Sequence, residues 1–307
     1  MPTISVVITS HNRQREVVRA IRSVAGQTLP ALEIIVVDDA SSPALSAVEL
    51  APQQQPPLRL IRHEQARGPG GARNAGIRAA KGEFVAFLDD DDQFVPEKLA
   101  RCTVVLDRHA EASVLHHAAY IDMINEGVGY TTRLEPHDGG AGLYRRLLVK
   151  NIVGGTPMVV VRREALATLG GFDEGLAALE DYDLWLRLAR AGYRFVALPE
   201  PLTRYDCVTA RRSVTKSDAA GAGTFARILA KHASARAALT AAEQLEQRRC
   251  VAETELQRAL LRLDRHDAIA RAWALWRLQP TLRATLAFVT AVTLGPRAMI
   301  RLRAARG

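Results

Sequence analysis

Phe84-Val85-Ala86-Phe87-Leu88-Asp89-Asp90-Asp91-Asp92 decides how this 307-residue chain is read. Five apolar residues in a row, aromatic and β-branched in part, predict a buried strand. The strand runs straight into four carboxylates, which repel one another and cannot sit unpaired in a core. They are expected to face solvent or a cation. Ligands of an open α/β sheet bind at the carboxyl ends of its strands. Carboxylate oxygens there suit hard ions such as Mg²⁺ or Mn²⁺, which bridge to a substrate's phosphates. A cap on the helix starting near Pro96, with Asp92 in or near it, would account for one aspartate. Four of them after a buried strand point to a metal.

The segments before this stretch repeat its design. Residues 3–9 predict a strand, followed by Ser10-His11-Asn12-Arg13 and a helix to about Gly26, with Val17, Val18, Ile21 and Val24 at helical spacing. A second strand over 32–37 ends in Asp38 and Asp39, which suit hydrogen bonds from a ribose or base, or an Asx turn. A third over 58–61 leads to Gly68-Pro69-Gly70-Gly71 and a helix over 72–80. Free N–H groups there could meet a phosphate, or form a plain turn. Arg73 is an anion ligand or a surface charge. Strands alternating with helices imply a parallel sheet with right-handed crossovers.

Beyond the acidic turn, a helix is expected over 96–108 and a strand over 112–121. His116 and His117 on that strand point to opposite faces and read as structural. Residues 123–142 read as a loop or hairpin, and 156–161 as a strand followed by a short helix ending at Gly170-Gly171. Glu180 and Asp181 open a further helix, where the dipole favours acids, with Leu184, Leu188 and Ala191 as its apolar side.

Composition is ordinary for a globular protein, at 48% hydrophobic and 24% charged residues. Three unclustered cysteines (Cys102, Cys207, Cys250) argue against a disulfide framework or zinc site and fit a reducing compartment. No signal peptide is apparent, and no run of about 18 apolar residues could span a bilayer. The net charge of +8 is uneven: residues 208–307 hold 18 Lys+Arg against 7 Asp+Glu, the rest 23 against 26. Two parts are therefore expected, 1–215 and a helical, basic extension over 216–307, with helices near 220–235, 239–263 and 266–278. Residues 268–307 carry seven arginines and no acid. That composition suits a helix on an anionic membrane surface, or one packed back on the catalytic part with a basic outer face. No groove-reading motif suggests nucleic acid.

In order, the chain carries Thr9-Ser10-His11-Asn12, Val37-Asp38-Asp39-Ala40-Ser41, Ala72-Arg73-Asn74-Ala75-Gly76-Ile77 and Lys81-Gly82-Glu83-Phe84 into Asp89-Asp90-Asp91-Asp92. Gly170-Gly171-Phe172-Asp173-Glu174 and Glu180-Asp181-Tyr182-Asp183-Leu184-Trp185 complete the set. Together these resemble a family 2 glycosyltransferase of the GT-A fold, an α/β fold with a mostly parallel sheet, over about residues 2–205. The resemblance implies that Thr9 and Asp39 hold the nucleotide base with Arg73 beside them, and that Asp89 or Asp90 meets the ribose. Asp91 would bind Mn²⁺ or Mg²⁺, Asp181 would be the general base, and Glu180 and Trp185 would shape the acceptor side. Many relatives place a His after an Arg/Tyr pair, which Arg204-Tyr205-Asp206-Cys207-Val208 lacks; Arg211 or Arg212 would serve instead.

The implied activity is inverting, metal-dependent transfer from a nucleoside-diphosphate sugar, UDP-linked by expectation, to a carbohydrate or lipid-linked hydroxyl. Polysaccharide or glycolipid assembly on the cytoplasmic side, peripheral to the plasma membrane, is the expected setting. A sugar nucleotidyltransferase would want a Gly-rich loop after the first strand, and an Asp-x-Asp-x-Thr phosphatase fails because Gln93 holds the fourth place after Asp89. A non-catalytic sugar-nucleotide binder or scaffold is the rival of another class.

Overall fold

A computed structural model describes residues 1–46, 56–137, 139–210, 217 and 222–305. Its strands are β1 (Ile4–Ser10), β2 (Glu33–Asp39), β3 (Leu58–His63), β4 (Phe84–Asp89), β5 (Gln93–Phe94), β6 (Ala112–Met123), β7 (Val128–Thr131), β8 (Val159–Arg162) and β9 (Arg194–Cys207). The helices of the first two-thirds are α1 (Gln14–Ala25), α2 (Gly68–Ala79), α3 (Lys98–Arg108), α4 (Ala141–Val149), α5 (Arg163–Thr168) and α6 (Glu180–Arg190). Then come α7 (Ala222–Ala230), α8 (Ala233–Ala237), α9 (Ala241–Arg262), α10 (Arg265–Leu278), α11 (Leu282–Thr293) and α12 (Pro296–Ala304).

Among the described residues the strands form one sheet in the order β3-β2-β1-β4-β8-β6-β9-β5, with β7 on β6. β1 pairs in parallel with β2 and β4, and β2 with β3. β8 runs antiparallel to β4 and β6, and β5 to β9, so the sheet is mixed. The parallel half is built from unbroken apolar runs because it is buried on both faces: Val6, Val7, Ile8, Ile34, Ile35, Val36 and Val37 are wholly buried. α1 lays Val17, Ile21 and Val24 on one side of it, each contributing about 1.5–3 kcal/mol by leaving water. Register does the rest. Thr9 lies opposite Asp89, Ser10 opposite Asp38, and Asp39 opposite His63, so four strand ends bring their polar residues to one edge.

α2 covers the other side of β1 and β2. A Cβ on Gly76 would stand 2.3 Å from Val7 Cγ1, so only glycine lets helix and strand approach this closely. In an open helix Gly→Ala gains about 1 kcal/mol. Here Gly76→Ala is expected to lose about 1–3 kcal/mol by overpacking, and pairing it with Val7→Ala should recover much of the loss. Urea unfolding of both variants checks this; a stabilised single variant would show that the contact is slack.

Several local expectations are corrected. α2 begins at Gly68, not Ala72, because Asp39 caps it from outside the segment. The cap of α3 is Glu97 rather than Asp92. The strand expected from Thr156 begins with a 3₁₀ turn over Thr156–Met158, where Pro157 withholds a ladder donor. Ala191 is exposed past the end of α6 and lies outside its buried side. α4 and β9 come in addition to the expected elements.

The chain divides into two compact units. One comprises Met1–Tyr120, Thr131–Tyr144 and Ile152–Tyr205; the other Ile121–Tyr130, Arg145–Asn151 and Asp206–Gly307. The second is mostly helical, with the β6–β7 turn included, and α9 opens with a capping box between Thr240 and Glu243. Arg145 forks onto Glu243, and Gln247 Nε2 donates to the Leu148 carbonyl.

Candidate active site

The two aspartates ending β2 do different work. Asp38 is fully buried and accepts from Ser41 N (2.9 Å), Leu45 N (3.0 Å) and Arg62 (2.5 Å). Burial pushes its carboxyl up, but these bonds outweigh it and hold the group below its usual range. Asp38 thus shapes the turn. Asp39 accepts from Arg67 N and Gly68 N, both at 2.9 Å, and contacts His63 Nδ1 at 2.7 Å. A carboxylate offers about four lone-pair sites, so capping α2 leaves Asp39 one acceptor position for a ligand. One of the α2 amides that could have met a phosphate, that of Gly68, is thereby taken. Thr9 is half-buried beside Asp89 on the neighbouring strand.

The acidic turn is not simply solvent-facing: Asp90 is 4% exposed and Asp92 1%. Asp90 faces a cation, Arg13 Nη1 at 2.8 Å, and the same guanidinium holds Asp91. Burial still pushes Asp90 up to about 6, against the pull of Arg13, and moves Asp91 in the same direction. Asp91 also receives Arg19 on its backbone carbonyl at 3.2 Å. Sequence reasoning gives Arg13 no role, since a pairing across 77 residues leaves no local signal.

Among the described residues no three His, Cys, Asp or Glu side chains form a metal cage. The donor set fits the other arrangement, in which Mg²⁺ or Mn²⁺ takes one or two carboxylates and completes its shell with substrate phosphates. Asp91 supplies hard oxygens just past a strand end, and Arg13 already balances positive charge against it.

Arg73 ties this edge to α6. It is 5% exposed; Nη2 donates to Asp89 Oδ1 at 2.6 Å and Nη1 to Glu180 Oε1, with the guanidinium 5.6 Å from the Phe172 ring. The two carboxylates hold it charged despite burial. Arg73 is therefore neither a surface charge nor an exposed anion ligand: α2 is buried along Gly70 to Ile77. One residue on, Asn74 exchanges hydrogen bonds with Phe172 (2.9 and 2.8 Å) and donates to Glu174. A Cβ on Gly171, at φ +71°, would fall 2.3 Å from Asn74 Oδ1, so glycine is required at this turn.

Asp181 follows Glu180 at the start of α6. It keeps some exposed surface but is enclosed by protein, and burial raises its carboxyl to about 7, with the neighbouring Glu180 adding to the rise and Arg73 opposing it. Oδ1 accepts from Tyr182 N at 2.7 Å, and Oδ2 faces Gly155. Trp185 is fully buried and donates its indole N–H to the Gly154 carbonyl at 3.0 Å, so it holds the glycine loop facing Asp181.

Sequence reasoning missed Lys98. It is wholly buried, donates to the Pro157 carbonyl at 2.6 Å and Thr203 Oγ1 at 3.2 Å, and lies 3.4 Å over the Phe94 ring. Burial lowers it to about 7. His116 and His117 are buried and do not converge: His116 stacks on His137 (Nε2 to Nε2 2.6 Å), and His117 Nδ1 contacts the Ala118 carbonyl. Arg211 and Arg212 lie outside the described residues.

The profile of Glycosyl transferase family 2 matches residues 5–170. An uncharacterized glycosyltransferase of Haemophilus influenzae is 35% identical over 214 residues, covering 69% of this chain and 71% of that one. The amylovoran biosynthesis glycosyltransferase AmsB of Erwinia amylovora is 28% identical over 213 residues, 67% of this chain and 70% of its own. Among solved structures, S. aureus TarS in complex with UDP-GlcNAc superposes with a TM-score of 0.54 at 19% identity, covering 94% of this chain and 79% of that one. The mannosyltransferase PcManGT of Pyrobaculum calidifontis, in complex with GDP-Man and Mn²⁺, gives 0.54 at 20% identity over 99% and 84%. These likenesses give the fold as GT-A, and with the profile match and the Haemophilus relative they make the chain a member of the family 2 glycosyltransferases.

Proposed function

We propose that the chain moves a sugar from a nucleoside diphosphate, UDP by preference, to a hydroxyl with inversion at the anomeric carbon. One observation carries this reading: Arg73 joins Asp89, at the strand end expected to hold the donor, to Glu180, next to the candidate base Asp181. Thr9 and the remaining acceptor position of Asp39 suit the base, with Arg73 behind them, and Asp89 or Asp90 the ribose. Asp181 takes the acceptor proton as the new C–O bond forms and the bond to the diphosphate breaks. With one base assigned and no second nucleophile among the residues assigned, direct attack by the acceptor hydroxyl is a single displacement, hence inversion, by analogy with glycosidase logic. Glu180 and Trp185 hold the acceptor side, the latter through the Gly154 loop.

Asp91 would hold Mn²⁺ or Mg²⁺, which neutralises charge on the departing diphosphate when bound. The PcManGT complex, which contains both GDP-Man and Mn²⁺, supports this choice. Asp91→Ala is expected to weaken Mn²⁺-dependent UDP binding at least about tenfold with unchanged thermal unfolding. Unchanged affinity by calorimetry would reduce the acidic cluster to a structural turn.

The proposed acceptor is a carbohydrate or lipid-linked hydroxyl of polysaccharide or glycolipid assembly, a setting supported by the likeness to AmsB, an amylovoran biosynthesis glycosyltransferase. Catalysis is assigned to residues 1–215. Residues 216–307 are assigned to an anionic membrane surface at the cytoplasmic face, supported by seven arginines and no acid over 268–307. Among the described residues no helix is long and apolar enough to cross a membrane. Release of free nucleotide from a panel of sugar nucleotides, with and without Mn²⁺, tests the activity. Tight binding without any turnover would favour a sugar-nucleotide-binding scaffold.

A further inference from the structure

We infer that the exposed face of α11, with Trp273 beside it, is the surface this chain lays on an anionic bilayer. The inference rests on the membrane assignment just proposed and names its contact face. α11 is turned the opposite way from a water-facing helix. Its buried positions are the small Ala284 and Ala291, while Leu282 (77% exposed), Leu286, Val289 and Val292 face out. Positions 282, 286 and 289 recur at i, i+4 and i+7, so they form one stripe, and exposed Leu294 continues the apolar surface past the helix end. Single exposed apolar residues are ordinary; a contiguous stripe marks an interaction surface.

Aromatic side chains fasten the stripe to its neighbour. Trp273 stacks on Trp276 at 5.0 Å, Phe288 tilts against Trp273 at 5.3 Å, and the Trp276 indole donates to Thr285 Oγ1 at 3.1 Å. Trp273 itself is 44% exposed. Apolar stripe, tryptophan and basic flank are the parts of an interfacial helix.

Charge selects the occupant. Arg283 within α11, Arg277 on α10 and Arg297 on α12 are exposed, and nothing acidic lies in residues 268–307. A second copy meeting this face through two-fold symmetry would oppose like charge to like. Anionic headgroups attract it, at about 1 kcal/mol per basic residue near the surface. Twelve helical residues span about 18 Å, too short to cross and long enough to lie along the headgroup boundary.

Sedimentation of the full chain with vesicles provides the test, using phosphatidylcholine alone or mixed with phosphatidylglycerol. Wild type is expected to bind the mixed vesicles and to be released by salt. Leu286→Asp/Val289→Asp should reduce binding at least about tenfold with an unchanged melting temperature. Leu282→Asp, which removes almost nothing from the interior, should weaken binding too and covers the case of a misfolded double variant. A wild type indifferent to anionic vesicles overturns the membrane assignment itself. A wild type that binds, with all aspartate variants binding equally well, overturns this face alone. A dimer that the same variants dissolve, with vesicle binding intact, assigns the stripe to a second copy and equally overturns the inference.

Discussion

Asp181→Asn is expected to lower sugar transfer by about 10²–10⁴-fold and to leave nucleotide affinity nearly unchanged. The substitution keeps the shape of the side chain and its bond from Tyr182 N while removing the basicity. Its neighbours are already engaged: Glu180 holds Arg73, and buried Asp183 holds Arg187 at 2.7 Å. Asp181 must be ionised to act as a base, and its carboxyl stands near 7. Transfer by the wild type should therefore fall as pH drops below about 7, in an acid limb that kcat/KM reports for the free enzyme. A variant transferring at close to the wild-type rate would remove Asp181 from the mechanism and bring Glu180 and Asp183 forward. A flat profile from pH 5 to 8 would speak against the raised carboxyl.

Arg73→Met should destabilise the fold by about 3–5 kcal/mol, the cost of leaving buried partners of a lost charge uncompensated. In a domain of about 150–250 residues that lowers the melting temperature by roughly 6–20 °C. Asp89 and Glu180 would face each other without a counterion, and Asp181 would lose the charge that now opposes its rise. The acid limb of residual activity should accordingly move to higher pH. Arg73→Lys restores charge but not the fork that reaches two carboxylates at once, so it should recover stability only in part. Calorimetric melting alongside a pH–rate profile separates the two effects. A Met variant melting with the wild type would mean that the bridge contributes nothing net.

The parallel half of the sheet was legible because buried parallel strands read as uninterrupted Val, Ile and Phe, and strand ends with Asp39 and Asp89 followed from their lengths. β9 was not, since Pro199 and Pro201 lie inside it and proline speaks against a strand; it forms because β6 and β5 flank it. α4 was missed although Leu143, Leu147 and Leu148 recur at helical spacing, because the helix is short and opens at the end of a glycine-rich stretch. Candidate acids could be named from sequence, but not what each one meets. Asp38 and Asp39 look alike, and only the third dimension brings Arg62 to one and the α2 amides to the other. Arg73 looked like any helical arginine because its two partners lie 16 and 107 residues away.

The distribution of indoles has an optical consequence. The chain's three tryptophans fall into two groups: Trp185, enclosed beside the Gly154 loop, and the stacked pair Trp273 and Trp276, one of which is open to water. Intrinsic emission therefore has a shielded source next to Asp181 and a solvent-sensitive one on α10. Ligands that disturb the glycine loop should alter the first, whereas moving Trp273 into a less polar medium should blue-shift the second. The native protein carries both reporters without a label.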